Sequence, residues 1–162
     1  MVNIVITGVT GLIGFELLKL LKNHKFGNNI NVYLTSSSNI KTLEFQGVFY
    51  DIRRLKEFYG NDEKQIFINC ATNDIAREIK NMMNKQSILI DNSTEYRMTE
   101  NIPLIIPEIN FNTYQNQSII ASPNCCCTIL GLVIYSFIKE KNDISFIDVT
   151  TFQSASGAGI QG

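Results

Sequence analysis

Several functional classes are set aside by what this chain has little of. Lys and Arg number 14 against 15 Asp and Glu, a net charge of −1, so no cationic surface for nucleic acid is indicated. No apolar run approaches the roughly 18 residues of a membrane span. The opening Met1-Val2-Asn3-Ile4-Val5-Ile6-Thr7-Gly8 lacks a basic region and a small-residue cleavage site. It reads as a strand and not a signal peptide, which predicts a cytoplasmic protein. The single histidine, His24, sits in a polar turn, and with no Cys-x-x-Cys spacing no metal site is expected. His24 reads as a solvated loop residue and not a base. Four cysteines, three of them adjacent, cannot staple a fold, because neighbouring side chains diverge; free thiols in a reducing compartment are expected. Arginine occurs only at Arg53, Arg54, Arg77 and Arg97, so each has more reason to be noticed. Internal repeats and low-complexity linkers are lacking too.

What is present fits one domain with a substantial core: 162 residues, 44% hydrophobic and 18% charged. Short β-branched runs alternate with helix-period segments, the pattern of βαβ units around a mostly parallel sheet. Strands are expected at 2–7, 31–35, 65–69, 87–91 and 118–121, with an extended piece near 48–50. A helix over 11–22 would carry Leu12, Phe15, Leu18 and Leu21 on one face, and another spans 74–84. A last strand is expected at 144–152. The connection from Asn92 to Pro107 holds Arg97 and is too long for an idle turn.

Gly8-Val9-Thr10-Gly11-Leu12-Ile13-Gly14 joins the first strand to the first helix. Glycines there let backbone approach a pyrophosphate at a helix N-terminus, although they also serve tight strand–helix packing. At the second strand's end, where a reader of a ribose 2′-hydroxyl would be acidic, stand Ser36, Ser37, Ser38 and Asn39. No carboxylate repels a 2′-phosphate and hydroxyls can donate to it, which favours NADP over NAD; a plain polar turn is the other reading. Ser122-Pro123-Asn124-Cys125 opens an apolar helix. Unpaired N–H groups and the helix dipole stabilise a thiolate at such a start, as a covalent acyl carrier requires. The alternative is a helix cap followed by small thiols, with Cys126 and Cys127 turned toward the core. Nucleotide turn, helix-start cysteine and loop arginine together suggest a dehydrogenase working through an acyl-thioester.

Five motifs in order resemble the N-terminal half of the aspartate-semialdehyde dehydrogenase family: Gly8–Gly14, Asp91–Met98, Pro103–Asn110, Ser122–Cys125 and Thr151–Gly159. The resemblance implies a Rossmann-type α/β fold. It also implies reversible NADP-dependent conversion of L-4-aspartyl phosphate to L-aspartate 4-semialdehyde and phosphate, on the route to lysine, threonine, methionine and diaminopimelate. By motif, Cys125 is similar to the nucleophile and Asn124 to its neighbour at the phosphate site. Arg97 resembles the substrate-phosphate arginine, and Gln153 the residue that orients substrate beside the thiol. Gly8, Thr10, Gly11, Leu12, Ile13, Gly14, Ser36, Ser38, Asn39, Ser156 and Gly157 match cofactor contacts.

Family members often carry Arg where Ser38 stands, and Ser or Thr in place of Cys126 and Cys127. They also carry a second α+β domain with a base histidine, an arginine for the substrate α-carboxylate and most of a homodimer interface. On the resemblance, residues 1–152 form the NADP-binding domain and 153–162 begin that second domain, truncated here. Two alternatives stand beside this reading. One is an inactive nucleotide-binding module of the same family. The other is an N-acetyl-γ-glutamyl-phosphate reductase, whose loop motifs match less well.

Overall fold

The structure is a computed structural model describing residues 1–22, 24, 29–141 and 143–154. Its centre is β1 (Val2–Thr7), an almost unbroken apolar run in which Val5 and Ile6 are fully buried. Such a run needs cover on both faces, as in parallel sheets. Successive side chains point to opposite faces, so Ile4 and Ile6 join one core with Val9, Leu18 and Leu34. Val5 joins the other core, with Phe67, Ile79 and Leu89.

β1 is followed by α1 (Leu12–Lys22) and β2 (Ile30–Thr35), then by β3 (Thr42–Phe45) and β4 (Val48–Arg53). After a 3₁₀ turn at Leu55–Phe58 come β5 (Lys64–Asn69), α2 (Asn73–Met82) and β6 (Ile88–Asp91). The long connection contains a short helix, α3 (Pro107–Asn110), followed by a 3₁₀ turn at Phe111–Thr113, and leads to β7 (Ile119–Ala121) and α4 (Cys125–Lys139). The sheet has seven strands in the order β3-β4-β2-β1-β5-β6-β7, parallel except for the β3–β4 hairpin at one edge. From β1 the chain first builds outward through β2, then crosses to β5 on the other side. A cleft opens where the order reverses, at the carboxyl ends of the strands.

The seven-stranded, mostly parallel sheet agrees with the expected fold class, and three local expectations are corrected. The hairpin was seen only as an extended piece near 48–50; its signal was Gln46-Gly47, whose positive φ angles of 50° and 75° make a tight two-residue turn. Leu12 does not share the buried stripe of α1: it is 58% exposed while Leu18 is buried. The helix starts at the sheet's carboxyl rim, so its first residue stands beyond the strands it would otherwise cover. Residues 143–154 form no strand and are exposed throughout the described stretch. β-branched composition there is not enough, because a strand exists only through pairing and these residues pair with no strand of the sheet.

Candidate functional site

Parallel pairing holds the last residues of six strands in one row across the sheet: Arg53, Thr35, Thr7, Asn69, Asp91 and Ala121. Gly8–Gly14, Ser36–Asn39, Asp91–Met98 and Ser122–Cys125 all leave this row, so register alone brings these four segments to one rim. The row is tied by side chains. Thr7 Oγ1 donates to Asn69 Oδ1 at 2.7 Å, and Asn69 Nδ2 donates to Asp91 Oδ1 at 2.7 Å. Asp91 also accepts from Ser93 N and, at 2.7 Å, from Ser93 Oγ. Thr7, Asn69 and Asp91 are fully buried or nearly so, so these bonds replace lost water and set the course of the next loop. Sequence reading missed Thr7 and Asn69, since a Thr and an Asn ending apolar strands look like ordinary turn residues.

At the nucleotide end, Gly8 has φ +70°, and a Cβ there would meet Cys70 O at 2.7 Å. A Cβ on Gly14 would run into Gly8 O and lie 2.7 Å from Val9 Cα. The turn folds back on itself through Gly11 N to Gly8 O, 2.9 Å, and Gly8 N binds Thr35 O at 3.1 Å. Glycine is therefore required both for the backbone and for helix packing. Thr10 Oγ1 lies 3.1 Å from Ser36 Oγ, which lies 2.8 Å from Ser38 Oγ. Beside this chain of hydroxyls is a cavity of about 490 Å³, lined by Gly8, Ser36, Ser37, Arg54, Leu55 and Lys56 among others. The cavity, the backbone turn at the start of α1 and the absence of a carboxylate at the end of β2 suit an adenine dinucleotide. Arg54 belongs to this end and was not expected there; its rarity was the available signal.

At the thiol end, Ser122 N donates to Asp91 O at 2.8 Å, continuing the row into the loop before α4. Arg97 reaches the same loop: its Nε donates to Ser122 O at 2.9 Å and its Nη2 to Asn92 O at 2.9 Å. Asn124 is the N-cap of α4, its Oδ1 accepting from Cys127 N at 2.7 Å. Cys125, the first residue of α4, is exposed. Gln153 Nε2 contacts Cys126 Sγ at 2.6 Å, bringing Gln153 to the cysteine turn. Arg97, Asn124, Cys125 and Gln153 thus lie together. Ser156 and Gly157 fall outside the described residues.

Cys126 and Cys127 do not face the core: Cys126 is half-buried and Cys127 exposed. The first turn of α4 is only partly covered: Cys126 and Thr128 are half-buried while Cys125 and Cys127 are exposed. The thiol with a displaced pKa is Cys70, half-buried just past β5; partial burial and the Asp91 carboxylate push it up from 9.0 to about 11. His24 follows α1 at the amino-end rim, where Val2 pairs with Ile30, across the sheet from the cysteines. Among the described residues no three potential ligands group to hold a metal, and no helix is long and apolar enough to cross a membrane.

Sheet order, glycine turn and cleft define the class: a Rossmann-type domain that takes a nicotinamide dinucleotide. Residues 3–117 match the model of the semialdehyde dehydrogenase NAD-binding domain, and the chain belongs to that oxidoreductase family. An aspartate-semialdehyde dehydrogenase from Synechocystis sp. is 36% identical, the match covering 98% of this chain and 47% of that protein. One from Campylobacter jejuni is 31% identical over 99% of this chain and 48% of its own length. The crystal structure of aspartate semialdehyde dehydrogenase II from Vibrio cholerae matches at a TM-score of 0.81 and 31% identity, covering 99% of this chain and 49% of that one. The chain spans about half the length of the curated relatives it matches.

Proposed function

We propose that this chain is the cofactor-binding and thiol-bearing part of an NADP-dependent aspartate-semialdehyde dehydrogenase. The observation that carries the reading is that Arg97 and Cys125 are fixed to one loop, through Ser122 O, on the same sheet rim as the dinucleotide cleft. An acyl phosphate bound there has its phosphate oxygens by the Arg97 guanidinium and Asn124, and its carbonyl carbon before Cys125 Sγ. The thiolate attacks that carbon and phosphate leaves, taking both electrons of the C–O bond, to give a thioester. Arg97 is suited to the leaving group because a guanidinium offers a planar fork of donors to phosphate oxygens. Gln153, from the next segment, orients the substrate over the thiol.

Gly8, Thr10, Gly11, Leu12, Ile13 and Gly14 hold the dinucleotide, with Ser36, Ser38 and Asn39 at its ribose end and Ser156 and Gly157 as further contacts. NADPH, when bound, supplies the hydride that reduces the thioester to the aldehyde. The base, the arginine for the substrate α-carboxylate and the homodimer contacts belong to the remainder of a full-length protein. Residues 1–152 are then its first domain, and 153–162 open the second. The product feeds lysine, threonine, methionine and diaminopimelate synthesis in the cytoplasm.

The test is phosphate-dependent reduction of NADP by aspartate semialdehyde, using the full-length protein that carries this sequence. Cys125→Ala is expected to lower kcat by at least about a thousandfold with NADP affinity unchanged. Retained turnover in that variant would remove Cys125 from the mechanism.

A further inference from the structure

The turn that ends β2 has no cation of its own: it reads Ser36-Ser37-Ser38-Asn39. The structure supplies one from the neighbouring strand. Thr35 pairs with Arg53, which puts Arg54 beside the exit of β2. The Arg54 guanidinium spans the turn: Nη1 donates to Ser37 O at 3.1 Å and to Ser38 O at 3.0 Å, and Nη2 donates to Asn39 Oδ1 at 3.0 Å. Its backbone is held as well, Arg54 N donating to Glu57 Oε1 at 2.8 Å at the start of the 3₁₀ turn. In a Rossmann cleft the end of the second strand is where the ribose 2′ position falls. A guanidinium carries five N–H donors, so those three bonds leave Nε–H and a second Nη2–H for a ligand. Arg54 lines the dinucleotide cavity together with Lys56, a second cation on the same turn. The carboxylate in that lining, Glu78, belongs to α2 and not to the β2 turn.

We propose that Arg54 is the residue that selects a 2′-phosphorylated dinucleotide, its guanidinium reading the 2′-phosphate from β4 across the Ser36–Asn39 turn. This rests on the NADP reading above and gives it a specific residue. The three bonds to the turn orient the fork in advance, so little side-chain entropy is lost when phosphate arrives. The Ser36 and Ser38 hydroxyls share one hydrogen bond, so one of the two hydroxyl hydrogens is left to donate to the same phosphate.

Calorimetric titration of the full-length protein with NADP+ and with NAD+ tests it, for the native sequence, Arg54→Gln and Arg54→Lys. The native protein is expected to bind NADP+ more tightly. Arg54→Gln is expected to lose about ten- to a hundredfold in NADP+ affinity with NAD+ affinity unchanged, and Arg54→Lys to fall between. If the native protein shows no preference for NADP+, or binds neither nucleotide, the NADP reading and the inference fall together. If it prefers NADP+ and Arg54→Gln keeps that preference, the cofactor reading stands and Arg54 is not its reader. Equal losses for both nucleotides in both variants would make Arg54 a brace for the turn and overturn the inference.

Discussion

Thiols a few residues from one sheet rim differ in chemistry because their surroundings differ. Cys125 is exposed at a helix start, whereas Cys70 is half-buried near the Asp91 carboxylate, with its pKa raised to about 11. Only a thiolate alkylates readily, so iodoacetamide at pH 8 should label Cys125 and Cys127 and leave Cys70 unlabelled until the chain unfolds. Peptide mass mapping after timed quenching reads this directly; early label on Cys70 would contradict its burial. Cys70 also carries a pH dependence. Unfolded, it loses its proton near 9.0; folded, it keeps it to about 11. The folded state therefore holds more protons across that window. Stability attributable to this thiol is intact below pH 9 and is lost as pH rises toward 11. Urea midpoints measured from pH 8 to 11 should fall, and Cys70→Ala should flatten that fall.

Among the elements, the parallel strands act through where they stop. The buried bonds from Thr7 through Asn69 to Asp91 and Ser93 cross β1, β5 and β6 at their carboxyl ends, and the loop to Arg97 starts from them. Asp91→Ala leaves one amide hydrogen of Asn69 and the hydroxyl and backbone N–H of Ser93 without their acceptor in the interior. It should cost about 2–4 kcal/mol in urea unfolding and loosen Arg97, since buried polar groups without partners are expensive. An unchanged midpoint would mean that water replaces the carboxylate. The turn from β1 to α1 has its own limit. A methyl on Gly14 would lie 2.7 Å from Val9 Cα, a backbone atom that cannot swing aside. Gly14→Ala should displace α1, lowering the midpoint by more than about 2 kcal/mol and weakening dinucleotide binding on titration.

At the scale of the whole molecule, the sheet is covered on both faces near β1 but α4 is not. Ile129, Val133 and Phe137 are 66%, 51% and 55% exposed, one turn apart along the helix. The opposite side packs on α3, where the lack of a side chain on Gly131 lets Ile106 and Ile109 approach; a Cβ there would lie 3.2 and 3.3 Å from their methyls. An apolar helical stripe of this kind is the face of an interior element. A chain of residues 1–162 alone should bind a hydrophobic dye and self-associate as concentration rises. Val133→Lys should reduce both in dye fluorescence and light scattering, without lowering the urea midpoint.

The sequence alone determined the α/β class, most strand positions and the motif order, because a doubly covered parallel strand must be a short apolar run and a glycine turn must follow the first. It also showed Arg97 and Cys125 as unusual, since rare residue types stood in a loop that is too long and at a helix start, with Asn124 as the cap of that helix. Pairing was hidden from it. The stretch 144–152 has strand composition but no partner, and 42–53 forms a hairpin through a two-residue turn. It also could not show which cysteines are half-buried and which exposed, because burial depends on what packs over a residue: Cys70 and Cys126 are partly covered, Cys125 and Cys127 are not. Arg54 is the clearest case. Fifteen positions separate it from Asn39, and only the lateral register of β4 on β2 puts its guanidinium on that turn. Local propensity acts along the chain, whereas sites in a parallel sheet are assembled across it, so their composition was written in the sequence and their geometry was settled by strand order.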